Sequence, residues 1–184
     1  MKTLHTEIYN GYQINIYPDD DPINPRTDYD NLGTMACFHK RYSLGDTDHG
    51  LTLEQALAIE KDIHNHITVP IYMYDHGGIA LQTTPFSCPW DSGKLGIIFV
   101  ASEKVRKEWK VKRISCKLRD KIKSYLRNEV QEYNQFLCGN AYGYEVIDCL
   151  GEEIESVWGY SDEQCCIDDA RSLVDHLNKK QFVA

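Results

Sequence analysis

The chain of 184 residues has no apolar run near the roughly 18 residues that a bilayer-crossing helix needs, so no membrane span is expected. Its opening, MKTLHTEIYNGYQ, has a lysine but neither an apolar stretch nor a small-residue cleavage site. No secretory leader is therefore expected, and the expected location is cytoplasmic. The seven cysteines include no C-x-x-C, their number is odd and their spacing irregular, which argues against a disulfide framework. Cys165 and Cys166 are adjacent, and neighbours on a helix point about 100° apart, so they cannot easily share a metal. The thiols are expected to be reduced and half-buried. Internal repeats, low-complexity tracts and Pro/Ser-rich linkers are absent too. One domain over residues 1–184 is the expectation, large enough to bury a core without disulfides. No motif calls for a cofactor.

Charged residues make up 26% of the chain, an ordinary share for a soluble globular protein, but they are segregated. Residues 1–102 carry 6 basic and 13 acidic residues, net −7. Residues 103–129 carry 11 basic and 4 acidic, net +7, and residues 130–184 carry 3 basic and 11 acidic, net −8. A basic island between two acidic arms is either internally balanced or a docking surface for phosphate or an acidic protein.

Local patterns give the elements. EIYNGYQINIY contains Asn10-Gly11, the two positive-φ positions of a type I′ hairpin, and Tyr12, Ile14 and Ile16 fall on one strand face. GTMACFHKRY reads as a strand with Met35, Cys37 and His39 on one face. TLEQALAIEKDIHNHI reads as a helix, with Thr52 and Gln55 as capping box and Leu53, Ala56, Ile59, Ile63 and Ile67 as its stripe. VPIYMYDHGGIALQTT suggests two strands around Asp75–Gly78, and LGIIFVAS a buried strand. SEKVRKEW is a short helix capped by Ser102. The longest helix is expected over 115–137, capped by Ser115, with Leu118, Ile122, Tyr125, Leu126, Val130, Tyr133 and Leu137 buried. Strand, turn, strand and a Ser161-capped helix close the chain. Hairpins predominate, so the fold class is α+β: a mainly antiparallel sheet with about three to four helices packed against it.

Four stretches are candidates for chemistry. Asp19, Asp20, Asp21, Asp28 and Asp30 resemble the oxygen ligands of a hard cation, yet their spacing is not that of an EF-hand, and the same residues cap turns. Cys37 and His39, with Asp75, His76 and Cys88, are the raw material of a cysteine-based or metal-dependent hydrolase, which requires them to converge. HNH at 64–66 ends a helix and lacks the spread-out ligands of an HNH nuclease. TTPFSCPWDSGKLGII holds Pro85, Phe86, Pro89 and Trp90 in a stiff aromatic loop, expected first of all to be a structural loop that folds Trp90 into the core, with an active-site lip or a partner-binding loop as the alternatives. On the long helix, Lys117 and Lys121 form one row and Arg119, Lys123 and Arg127 another, flanking the apolar stripe. They could contact a phosphate backbone, although no aromatic side chain is expected among them.

The blocks DNLGTMACFHKRYSLGD, YDHGGIALQTTPFSCPWDSGKLGIIFVASEKVRKEW and YGYEVIDCLGEEIESVWGY together resemble a family of small proteins encoded by bacteriophages, prophages and mobile elements. The resemblance runs from Asp28 to about Asp175. It implies no activity and no catalytic residue. It does imply a setting in which small acidic proteins bind host defence machinery, as anti-CRISPR and anti-restriction proteins do. The expected function is therefore non-catalytic binding of a host protein or nucleoprotein complex through Phe86, Trp90 and the basic helix. A hydrolase around Cys37/His39 and Asp75/His76, and direct nucleic-acid binding through helix 115–137, are the alternatives. The Asp19–Asp46 run is expected to be a capped loop feeding a core strand.

Overall fold

A computed structural model describes residues 2–181. Along the chain come β1 (His5–Tyr9), β2 (Tyr12–Pro18), α1 (Pro25–Asp28), β3 (Thr34–Cys37), α2 (Leu53–Lys61), β4 (His66–Asp75) and β5 (Ile79–Gln82). Then follow β6 (Ser92–Ala101), α3 (Ser102–Glu108), α4 (Cys116–Leu137), β7 (Tyr142–Ile147), β8 (Glu153–Tyr160) and α5 (Glu163–Gln181). The strands form two four-stranded sheets, β1-β2-β7-β8 and β3-β6-β4-β5, and every strand pairing is antiparallel. The fold is α+β, as the hairpin-rich pattern predicts.

Two compact units hold these sheets. One combines residues 1–23 with 139–184, and the other is the continuous segment 24–138. In the first unit, Asn10 and Gly11 take φ 49° and 89°, the left-handed pair of a type I′ turn, and pair Tyr9 with Tyr12. Tyr12, Ile14 and Ile16 of β2, with Tyr144 and Val146 of β7, form a core with Cys166, Ile167, Ala170 and Val174 of α5. Three of those helix residues are small, so α5 can lie close to the sheet. Asp162, not Ser161, caps α5: its side chain accepts from the Cys165 N–H at 2.8 Å.

In the second unit β4 and β6, ten residues each, are the two central strands. Gly96 lies where β3 crosses β6, and any Cβ there would overlap the Ala36 carbonyl. Ile122, Leu126, Val130 and Tyr133 of α4 pack on Ile67, Val69, Ile71, Ile98 and Val100 of β4 and β6. The capping box at Thr52 and the N-cap at Ser115 form as expected. The outer edge of β5 is covered by α4: the Leu81 N–H donates to Asn134 at 2.6 Å, which blunts an open strand edge.

Four local expectations are corrected. β3 ends at Cys37, so His39 lies in the following loop rather than on the strand. α2 ends at Lys61, where Asp62 closes it; Ile63 is 63% exposed and Ile67 belongs to β4. Ser102 makes no cap; its hydroxyl, fully buried, donates to the His64 carbonyl at 3.1 Å. Tyr125 falls outside the buried stripe of α4 and is 38% exposed.

Candidate functional site

The segments 38–42 and 83–92 converge on the far end of β4 and the start of β6, around an open pocket of about 310 Å³. His39, Arg41, Asp75, Trp90, Asp91 and Lys94 contribute to its wall. Its charges are paired in place: Arg41 Nη2 lies 2.6 Å from Asp75 Oδ2, and Lys94 Nζ lies 2.6 Å from Glu60. His76 Nδ1 lies 3.3 Å from Asp91. The expectation that the 83–92 loop folds Trp90 into the core is corrected: Trp90 stands at the rim, 91% exposed, where burial would normally hold so large an apolar ring.

Short-range contacts brace the loop that carries Trp90. The Asp75 N–H donates to the Asp91 carbonyl at 2.9 Å, extending β4. Cys88 Sγ–H points to Asp91 at 3.7 Å, and the Ser92 hydroxyl donates to the Cys88 carbonyl. The Phe86 ring packs on Tyr74 with centroids 5.5 Å apart, leaving Trp90 as the free aromatic of the loop. A braced loop loses little freedom when a partner binds, which favours affinity.

The candidate chemical residues Cys37, His39, Asp75 and His76 are each held in structural contacts. Cys37 has its thiol pushed up to about 12, by burial first and by Asp46 second, so it is no thiolate nucleophile near neutral pH. His39 Nδ1 accepts from the backbone N–H groups of Arg41 and Tyr42, each at 3.3 Å, and the ring stacks on Tyr42 at 4.9 Å. Nδ1 of His39 is thus engaged as an acceptor by the backbone. Asp75 accepts from Arg41 and Tyr42, and His76 sits by Asp91. His39 and Asp75 do share the pocket, and Arg41 and Tyr42 hold both, His39 through their backbone N–H groups and Asp75 through their side chains.

The acidic loop likewise resolves into structure. Asp19 accepts from the Asp21 N–H at 3.1 Å, an Asx turn, while Asn24 caps α1 and Asp28 accepts from the Thr27 hydroxyl. Asp20, Asp21, Asp28 and Asp30 are exposed, and Asp19–Asp21 and Asp28–Asp30 belong to different units. Among the described residues no three His, Cys, Asp or Glu side chains form a metal-holding group. The feature that organises this run went unseen in the sequence: Arg26, with a side chain 1% exposed, donates to Asp46, Glu129, Asn31 and the Gly33 carbonyl. Nothing about one arginine among aspartates signals such burial.

Of the basic helix, Lys117, Lys121 and Arg127 are exposed, and Lys123 is half-buried. Arg119 is also half-buried, and its guanidinium donates to the His66 carbonyl at 3.2 Å, so it has a structural task. Sequence reasoning missed Arg41, Asp91 and Lys94 at the pocket. The cysteine expectation is corrected as well: Cys116, Cys138, Cys149 and Cys165 are exposed and only Cys166 is fully buried. Among the described residues no helix is long and apolar enough to cross a membrane. No protein-family model matches the chain, and neither a curated protein nor a solved structure shows significant similarity to it.

Proposed function

We propose that this is a non-catalytic binding protein, encoded by a phage or mobile element, that docks on a host protein or nucleoprotein complex and inhibits a defence system of the anti-CRISPR or anti-restriction type. The observation that carries the binding reading is Trp90: an indole 91% exposed, on a braced loop, at the rim of a pocket whose charges are already paired. Aromatic anchors of this kind dominate protein–protein interfaces. The phage setting and the defence target rest on the sequence resemblance alone. The site of action is the host cytoplasm, where a reducing environment keeps the exposed thiols free.

Affinity capture from a bacterial lysate tests the reading, with wild type and Trp90→Ala run side by side at about 50 and about 150 mM salt, since salt screens charge contacts but not aromatic ones. The expected result is a partner retained by wild type at both salts and lost with Trp90→Ala. Failure to retain any partner at either salt, or an identical set with the variant, overturns it.

A further inference from the structure

Beyond that protein-binding rim, the basic island contains a surface of another kind. Its cations divide into those the fold uses and those it leaves free. Lys104 donates to the Asn31 and Leu32 carbonyls, and Arg119 to the His66 carbonyl. Arg106 and Lys107 lie in the last turn of α3, where the helix dipole favours positive charge. Among the described residues, Lys110, Lys112, Arg113 and Lys117 have no such task, and Lys117 lies in the first turn of α4, where the dipole opposes it. That first turn contains no acidic residue to offset the lysine. Lys117 and Lys121 are also like charges four residues apart, an arrangement that weakens a helix.

Two aromatic rings stand among these cations. Lys121 Nζ lies over the Tyr125 ring, 5.5 Å from its centroid, and the Trp109 ring lies beside Tyr125 at 6.3 Å with the planes 31° apart. Lys110 follows Trp109 directly with φ 54°, a left-handed position usually left to glycine or asparagine. Cations alone would accept any polyanion. Cations ranged beside a partly exposed aromatic pair match a narrower ligand, one with a phosphate backbone and free base faces. Duplex bases are stacked on one another and cannot reach such a ring. The charge that matters is local, because beyond about 10 Å at 0.1 M salt most charge is screened; residues 103–129 are net +7.

We infer that the α3–α4 corner, with Lys110, Lys112, Arg113, Lys117 and Lys121 around Trp109 and Tyr125, binds a single strand of nucleic acid. The strand's phosphates meet the lysines, and one base stacks at Tyr125 as Lys121 moves from ring to phosphate. The contacts proposed here are to phosphate and base alone, so DNA and RNA strands of equal length should bind alike.

Fluorescence anisotropy at about 50 mM salt, with labelled 20-mers of oligo-dT and oligo-U, a 20-base-pair duplex and heparin as competitor, reads this directly. Both single strands should bind, and more tightly than the duplex. Tyr125→Ala should weaken them about tenfold without changing the salt slope, and Tyr125→Phe should restore wild-type affinity. Lys117→Gln with Lys121→Gln should lower the slope of log K against log salt by about 1.4. Trp90→Ala should change none of these, so this surface and the protein-binding rim stand or fall separately. The inference is overturned if no strand binds, if the duplex or heparin binds equally well, or if Tyr125→Ala binds as wild type does. Circular dichroism confirms that each variant is folded.

Discussion

Replacing Arg26 by methionine tests the assignment of the acidic loop as structure rather than site. The guanidinium has five N–H donors, and all five are used: Nε and Nη2 on Asp46 at 2.8 and 3.0 Å, Nη1 on Glu129 and Asn31 at 2.8 Å each, Nη2 again on the Gly33 carbonyl at 2.8 Å. The side chains of Arg26, Asp46 and Glu129 are 1%, 17% and 14% exposed. Arg26→Met keeps the volume and removes the only cation among them, leaving two largely buried carboxylates. Such an uncompensated charge costs about 3–5 kcal/mol. With a urea m-value of about 2 kcal/mol per molar, the midpoint should fall by about 2 M. Trp158 lies in the other unit, so a Trp158→Phe background confines tryptophan fluorescence to Trp90 and Trp109 of the 24–138 unit. Adding Asp46→Asn and Glu129→Gln to Arg26→Met should recover part of the loss, because their oxygens still accept from the Met35 and Gly33 N–H groups. Destabilisation below about 1 kcal/mol for Arg26→Met would refute the reasoning, since a buried ion triad cannot lose its cation so cheaply.

Other consequences are smaller in scope. Cys37 should resist iodoacetamide at pH 8, where a thiol with pKa of about 12 is ionised in only about one molecule in 10⁴, while Cys116, Cys138, Cys149 and Cys165 react; peptide mass mapping reads this. Hydrogen bonds from Arg171, at 2.7 and 2.8 Å, hold the Glu7 carboxyl below its ordinary range. The folded-state pKa is the lower one, so this stabilisation is complete above the unfolded carboxylate's value of about 4.3 and is lost as pH falls further. Wild type should therefore exceed Glu7→Gln in stability at neutral pH, with the difference vanishing in acid titrations of the urea midpoint. Gly96→Ala should cost about 1–3 kcal/mol in thermal unfolding, because its Cβ displaces the Ala36 carbonyl of the neighbouring strand.

Local signals in the sequence carried the elements well and their assembly poorly. Asn10-Gly11 and the Tyr12/Ile14/Ile16 alternation place the first hairpin because both are short-range backbone and burial effects. The separation into two units left no such trace: β2 pairs with β7 across the whole inserted segment, and no linker composition marks the junctions. Ile63 and Ile67 continue the period of α2 in sequence, yet the chain turns at Asp62 and delivers Ile67 to a strand, so tertiary pairing overrides periodicity. At the pocket, Trp90 stood out by composition and Asp75 and His39 by residue type. Arg41, Asp91 and Lys94 did not, because only the meeting of three distant segments gives them a common site. Tyr125 sits at the margin of its helix's apolar stripe, where a step of about 100° per residue does not decide between core and surface.

The central claim is that this protein acts by binding, with Trp90 as anchor. Isothermal titration of the partner captured from lysate, purified, against wild type and Trp90→Ala tests it most directly. The account predicts at least about 30-fold weaker binding for the variant, the loss of a hot spot of about 2 kcal/mol, with its fold unchanged by circular dichroism. Equal dissociation constants for the two proteins would contradict it.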